Sequence, residues 1–237
     1  MMATVVLAAV LGVVWLAAAY RENGSRAILL PDPVMTLFPD PKPLAAFAFT
    51  DHENRVFDLS SLKGKWSFLF FGYTHCPDIC PTTLATLARV HENIVKSMPR
   101  AKDVQFVFIS VDPNRDNAAK LGQYVSYFDA TFLGVTGNDA QLGKLAGQLG
   151  AVYQVAAKPG MHDYPVYHSA AVFLVDPRAR YHAVFAPPLD ADGITRRFGV
   201  LRELEGSKAG KQGNPSRTAR NFWSPAVSAA YFDRATM

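Results

Sequence analysis

Between Phe70 and Leu84 the chain changes its hydrophobic period, and that change limits the folds open to it. The stretch reads Phe70-Phe71-Gly72-Tyr73-Thr74-His75-Cys76-Pro77-Asp78-Ile79-Cys80-Pro81-Thr82-Thr83-Leu84. The apolar run Trp66 to Gly72 has strand length and reads as a buried strand. Downstream, Leu84, Leu87, Ala88 and Ile94 fall on one helical face. Pro81 suits the first helical turn, where its missing N–H would be unpaired anyway and its φ is preset. A buried strand feeding a helix belongs to an open α/β sheet, in which binding sites form where strands end.

The rest of the chain repeats the alternation. Val104 to Val111, Ala170 to Val175 and Tyr181 to Ala186 are further apolar runs of strand length. Leu121, Tyr124, Val125 and Phe128 share a helical face, and Leu142, Leu145 and Leu149 share another after an Asn138-Asp139 start signal. The aromatics on these faces read as core. The order predicts an α/β domain with a central sheet covered by helices.

At 237 residues the chain suits one such domain with appendages. Residues 1–20 carry no charged side chain and read as a transmembrane anchor, long enough to span a bilayer as a helix and longer than the usual signal core; the alternative is a cleaved signal peptide, for which Ala17-Ala18-Ala19 supplies small residues. Arg21 and Arg26 follow this segment with no Lys or Arg before it, which by the positive-inside tendency alone would place the body in the cytoplasm. Residues 21–43 include Pro31, Pro33, Pro39, Pro41 and Pro43 and read as an extended tether. The folded domain is expected over 44–205, and a loosely ordered basic tail over 206–237.

Charge narrows the partners. The formal net charge is +4, and from Gly206 onward five basic residues face Asp233 alone, so the excess sits in the tail. The body is near neutral and has no basic, aromatic-studded element, which argues against nucleic-acid binding.

Only two cysteines are present, four positions apart. A bridge between them would close too short a loop to stabilise the fold much, so ligand or redox chemistry is the better reason for the pair. Cys80 falls at the helix N-terminus, where the dipole and free N–H groups favour thiolate. The spacing can bring both sulfurs to one side of a turn, and thiolates prefer Cu(I) to hard cations. Two sulfurs leave room for a third ligand, for which His52, His75, His91, His162, His168 and His182 compete. His168 stands just before a strand, where a side chain can reach another element. His75 adjoins Cys76 but is expected to point away.

The run Phe70 to Leu84, the segment Ile109-Ser110-Val111-Asp112-Pro113-Asn114-Arg115-Asp116 and the segment Tyr164-Pro165-Val166-Tyr167-His168-Ser169-Ala170 together resemble the Sco/SenC family of copper proteins. The likeness covers roughly Leu44 to Leu204 in the family's order. It implies a thioredoxin-like fold with a central mixed sheet, an N-terminal transmembrane helix in the bacterial inner membrane, and a domain facing the periplasm. It also implies that Cys76, Cys80 and His168 hold one copper per chain, Cu(I) with Cu(II) also able to bind, and that the two cysteines can form a redox-active disulfide. The implied partners are subunit II of cytochrome c oxidase, whose dinuclear copper centre the family helps assemble, or another cuproprotein, and a copper donor protein. Asp112 and Arg115 recur in the family and are expected to fix a loop near the site. The family commonly has Asp before the distal His where this chain has Tyr167, a change expected to weaken any outer contact to the imidazole. Asp78, between the cysteines, is expected to tune their charge, meet a partner or simply be solvated.

On this reading the chain is a metallochaperone and not an enzyme. The rival is a thiol–disulfide oxidoreductase that reduces the client's copper-site cysteines by thiolate exchange. Its weakness is the three-residue spacer, since thioredoxin-type enzymes use two, and its lack of need for His168. A peroxidase would want its cysteine in another setting, and a closed zinc site would want a fourth ligand.

Overall fold

The computed structural model describes residues 35–99, 101–157, 161 and 163–212. The expected membrane span, the first part of the tether and most of the expected tail therefore lie outside the described residues. Among the described residues, no helix is long and apolar enough to cross a membrane.

Among the described residues ten strands and five helices follow one another: β1 (Met35–Pro43), β2 (Ala48–Asp51), β3 (Val56–Asp58), α1 (Leu59–Leu62), β4 (Trp66–Gly72), α2 (Ile79–Ser97), β5 (Val104–Ser110), α3 (Ala118–Phe128), β6 (Leu133–Thr136), α4 (Asp139–Leu149), β7 (Tyr153–Val155), β8 (Val166–His168), β9 (Val172–Val175), β10 (Arg180–Phe185) and α5 (Ala191–Gln212). Eight strands form one sheet in the order β1-β10-β9-β4-β5-β6-β2-β3, and β7 and β8 form a separate ribbon. β4, β5 and β6 run parallel, whereas β9 runs antiparallel to β4. The sheet is therefore mixed, with β4 near its centre.

Every residue of β4 is buried, as a strand covered on both faces requires. Its rings organise the core. Phe68 stacks on Phe106 at 4.8 Å between centroids and meets Phe198 of α5 edge-on at 5.1 Å. Such pairs add about 0.5–1.5 kcal/mol each beyond area burial. The helix faces read from periodicity are the buried ones: Leu84, Leu87 and Ile94 on α2, Leu121 and Val125 on α3, and Leu142, Leu145 and Leu149 on α4. Asn117 and Asn138 cap α3 and α4 through side chains that accept backbone N–H bonds.

Two boundaries differ from expectation. Residues 35–43, read from their prolines as tether, form β1 at one edge of the sheet against β10. Proline removes a ladder donor, which an edge strand tolerates on its open side, and the register shifts between Leu37 and Lys42 around Pro39 and Pro41. At the other end, α5 runs past Glu205 to Gln212, so the helix extends beyond where the tail was expected to begin.

Candidate metal centre

The site forms where β4 ends and α2 begins. Gly72 closes β4, and a Cβ on it would lie 2.7 Å from Cys80 Sγ and 2.7 Å from the Phe108 ring. Glycine is thus needed there for Cys80 to pack against the strand end. The chain turns through Tyr73 to Cys76, with the Cys76 N–H donating to the Tyr73 carbonyl at 3.2 Å. It enters α2 at Ile79, which leaves Cys80 and Pro81 in the first turn.

The three ligand atoms offered by Cys76, Cys80 and His168 all lie within 4.8 Å of one another, and no other His, Cys, Asp or Glu joins them among the described residues. Both cysteines are free thiols, Cys76 half-buried and Cys80 buried. The Cys80 N–H points at Cys76 Sγ, 3.4 Å away. His168 arrives from 88 positions downstream and sets its Nε2 3.1 Å from Cys80 Sγ. It ends β8, a three-residue strand paired with β7 that the sequence pattern does not announce.

The imidazole is held in one tautomer. Its Nδ1 lies 3.1 Å from the Ser169 carbonyl, which can only accept, so Nδ1 carries the hydrogen and Nε2 presents its lone pair to Cys80. Phe70 and Tyr73 meet the ring edge-on, at 5.8 and 5.9 Å between centroids. Burial lowers the His168 pKa, opposed by the bond to Ser169, so the ring is held neutral. Neutral imidazole is the ligating form.

The expectation for Cys80 is corrected here. A helix N-terminus favours thiolate, yet burial pushes the Cys80 thiol well up; the Tyr73 backbone acts the other way, and the charges of Cys76 and Asp116 add to the rise. Desolvation outweighs the helix dipole because the residue has 0% exposure. Without metal, burial thus favours the thiol form of Cys80, whose Sγ lies 3.1 Å from His168 Nε2.

The other described histidines are engaged elsewhere. His52 Nδ1 accepts from the Gly134 N–H at 3.1 Å, His91 pairs with Asp129 at 2.5 Å, and His182 faces Asp176 at 3.5 Å. His75 turns away from the sulfurs, with its Nε2 2.9 Å from Lys120 Nζ. His162 lies outside the described residues. Asp78 is exposed at the N-cap of α2, with no capping bond from its side chain. Tyr167 is 63% exposed, because alternation along β8 turns it to the face opposite His168. Asp112 is buried and bonded to Tyr164 and Arg115. Sequence reasoning had not picked out Gly72, Phe70 or Tyr73 as parts of the site, although all three adjoin the cysteine motif.

The donor set fits a soft ion. Two sulfurs and a neutral imidazole suit Cu(I), whereas a closed zinc site would want a fourth ligand. The half-exposed Cys76 leaves one side of the group open.

Comparison with known proteins agrees. The SCO1/SenC family matches residues 39–200. A protein of Stutzerimonas stutzeri named for copper binding is 37% identical over 171 residues, 72% of this chain and 82% of its own length. The mitochondrial SCO2 homolog of Bos taurus is 36% identical over 63% of this chain, and the match spans only 56% of that relative. Among solved structures, copper-bound ScoI of Arabidopsis thaliana superposes with a TM-score of 0.61 at 32% identity, covering 68% of this chain and 98% of that one. Apo Sco1 of Thermus thermophilus gives 0.63 at 33% identity, covering 70% and 95%.

Proposed function

This chain belongs to the SCO1/SenC family, and from that premise we propose that it is a copper carrier that takes Cu(I) between Cys76, Cys80 and His168 and yields it to a client protein. One observation carries the reading: three ligand atoms of the right softness lie within 4.8 Å of one another. Copper here is cargo and not a reagent, so the protein acts as a chaperone without catalysing a reaction.

The residues divide the work of transfer. Cys76, half-buried, is the sulfur an incoming ligand meets first, while Cys80 and His168 hold from the protein side. Seating copper displaces the hydrogen of the Cys80 thiol, so affinity falls as pH falls. The client in this proposal is subunit II of cytochrome c oxidase, whose dinuclear copper site needs such delivery. Support comes from the family and from an open site suited to ligand exchange. The chain is further proposed to be anchored in a bacterial inner membrane by residues 1–20, with the domain in the periplasm. The uncharged apolar run supports this.

The test is anaerobic Cu(I) titration of the reduced full chain, with a competing chromophoric chelator and X-ray absorption at the copper edge. Saturation at one copper with sulfur and imidazole ligands is expected. Absence of tight binding would end the proposal and favour the second reading, disulfide exchange with the client, for which the two neighbouring free thiols speak.

A further inference from the structure

The loop between β5 and α3 carries two fully buried carboxylates, Asp112 at 1% and Asp116 at 0% exposure. Burying charge is unfavourable unless hydrogen bonds replace the lost water. Here part of the replacement comes from Ser110 and Arg115 beside them, and part from the two segments that carry the proposed ligands.

Asp116 accepts the Thr74 N–H at 2.9 Å and the Thr74 hydroxyl at 2.5 Å, across 42 positions of sequence. Thr74 stands two residues before Cys76. Asp112 accepts the Tyr164 hydroxyl at 2.7 Å, across 52 positions, and Tyr164 stands four residues before His168. Arg115 bonds Asp112 through Nε and lays its guanidinium 3.7 Å from the centre of the Tyr164 ring. Ser110 joins the two arms: its hydroxyl donates to Asp116 at 2.6 Å and accepts the Asp112 N–H at 3.2 Å.

We propose that Ser110, Asp112, Arg115 and Asp116 form a two-armed bracket that sets the spacing between the sulfur-bearing turn and the imidazole-bearing segment, making them positioning residues for the copper site. This rests on the copper reading above. It goes further in assigning a role to residues that touch none of the three ligand atoms. One arm fixes the entry to Cys76 and the other the approach to His168, so the gap between them is set by one short loop. An arrangement serving stability alone would have no reason to end on those two segments.

The test is a double-mutant cycle with Tyr164→Phe and His168→Ala in the full chain. It is read by Cu(I) affinity in chelator competition, by the Cu–N component in X-ray absorption, and by thermal unfolding of the metal-free protein. Tyr164→Phe removes only the hydroxyl that Asp112 holds. Alone it is expected to weaken Cu(I) binding by about 10-fold, the range for partners that orient a ligand, and to reduce the imidazole component while both sulfurs stay. In the His168→Ala background it is expected to do nothing further. Equal weakening in both backgrounds would mark a general structural effect and overturn the proposal, as would no weakening in the otherwise unaltered chain. Asp112→Asn, run through the same cycle, is expected to give the same pattern should Tyr164→Phe not fold. If His168→Ala alone leaves affinity unchanged, the copper reading itself fails; if it weakens affinity while Tyr164→Phe does not, the bracket alone fails.

Discussion

Two histidines in this molecule, one buried and one half-buried, answer to different rules. His182, on β10 near the start of β4, is 2% exposed, faces the Asp176 carboxylate at 3.5 Å and lies 5.5 Å from the Trp66 ring. The same Asp176 accepts the backbone N–H groups of Arg178 and Arg180 and the Arg180 side chain. His168, at the opposite end of β4, has no carboxylate among its described partners, only the Ser169 carbonyl and a thiol. The first cluster satisfies its buried polar atoms internally, as structural groups must. The second sets its Nε2 beside two soft sulfur donors and no charged group. A histidine built to bind a metal is distinguished by the donors it is brought to.

The strongest way to break this comparison is to delete each ring in turn. His168→Ala is expected to weaken Cu(I) binding by more than about 100-fold, beyond the range for outer partners, with little change in urea stability of the metal-free chain. His182→Ala is expected to do the reverse: about 1–3 kcal/mol of stability lost, because Asp176 loses a partner, with copper affinity kept. Chelator competition and urea unfolding on both variants check the crossover, and matching outcomes would erase the distinction.

A finer test uses acid. Burial would raise the Asp176 pKa, but its bonds to His182 and Arg180 outweigh that and bring it to about 2. A carboxyl depressed in the folded state adds stability above its unfolded pKa, and that stability drains away as pH falls through the folded value. The expected share is about 2 kcal/mol, lost between roughly pH 4 and pH 2. Asp176→Asn should lower stability at neutral pH and flatten its slope across that window, as read by urea midpoints at pH 7, 4, 3 and 2.

At the site end, Gly72→Ala is expected to cost about 1–3 kcal/mol through overpacking, and to lower copper affinity because the new methyl meets Cys80 Sγ. Normal affinity in that variant would show that Cys80 can shift freely. The smallest effect is expected of Tyr167→Asp. With residue 167 turned to solvent, Cu(I) affinity should stay within about threefold, below the ~10–100-fold of a true outer partner.

Much of the fold was legible because local chemistry wrote it. The apolar run of β4 and the spaced leucines of α2, α3 and α4 carry their burial pattern in short windows, and Asn117 and Asn138 mark helix starts. The short strands β2, β3, β6, β7 and β8 were not read, since three or four residues outside a continuous apolar run such as that of β9 hold too little period. Nor was β1, whose prolines speak of tether until β10 is known to lie beside it.

At the site, the sequence by itself determined the strand-to-helix junction and the closeness of two sulfurs, because residues four apart across one turn cannot lie far from each other. Only the tertiary structure decided which imidazole meets them, that burial pushes the Cys80 thiol up, and that Asp112 and Asp116 tie the two segments together. The first and the last depend on contacts across 42 to 88 positions and the second on the exclusion of water, and neither distance through the fold nor dielectric surroundings can be read from a residue's neighbours along the chain.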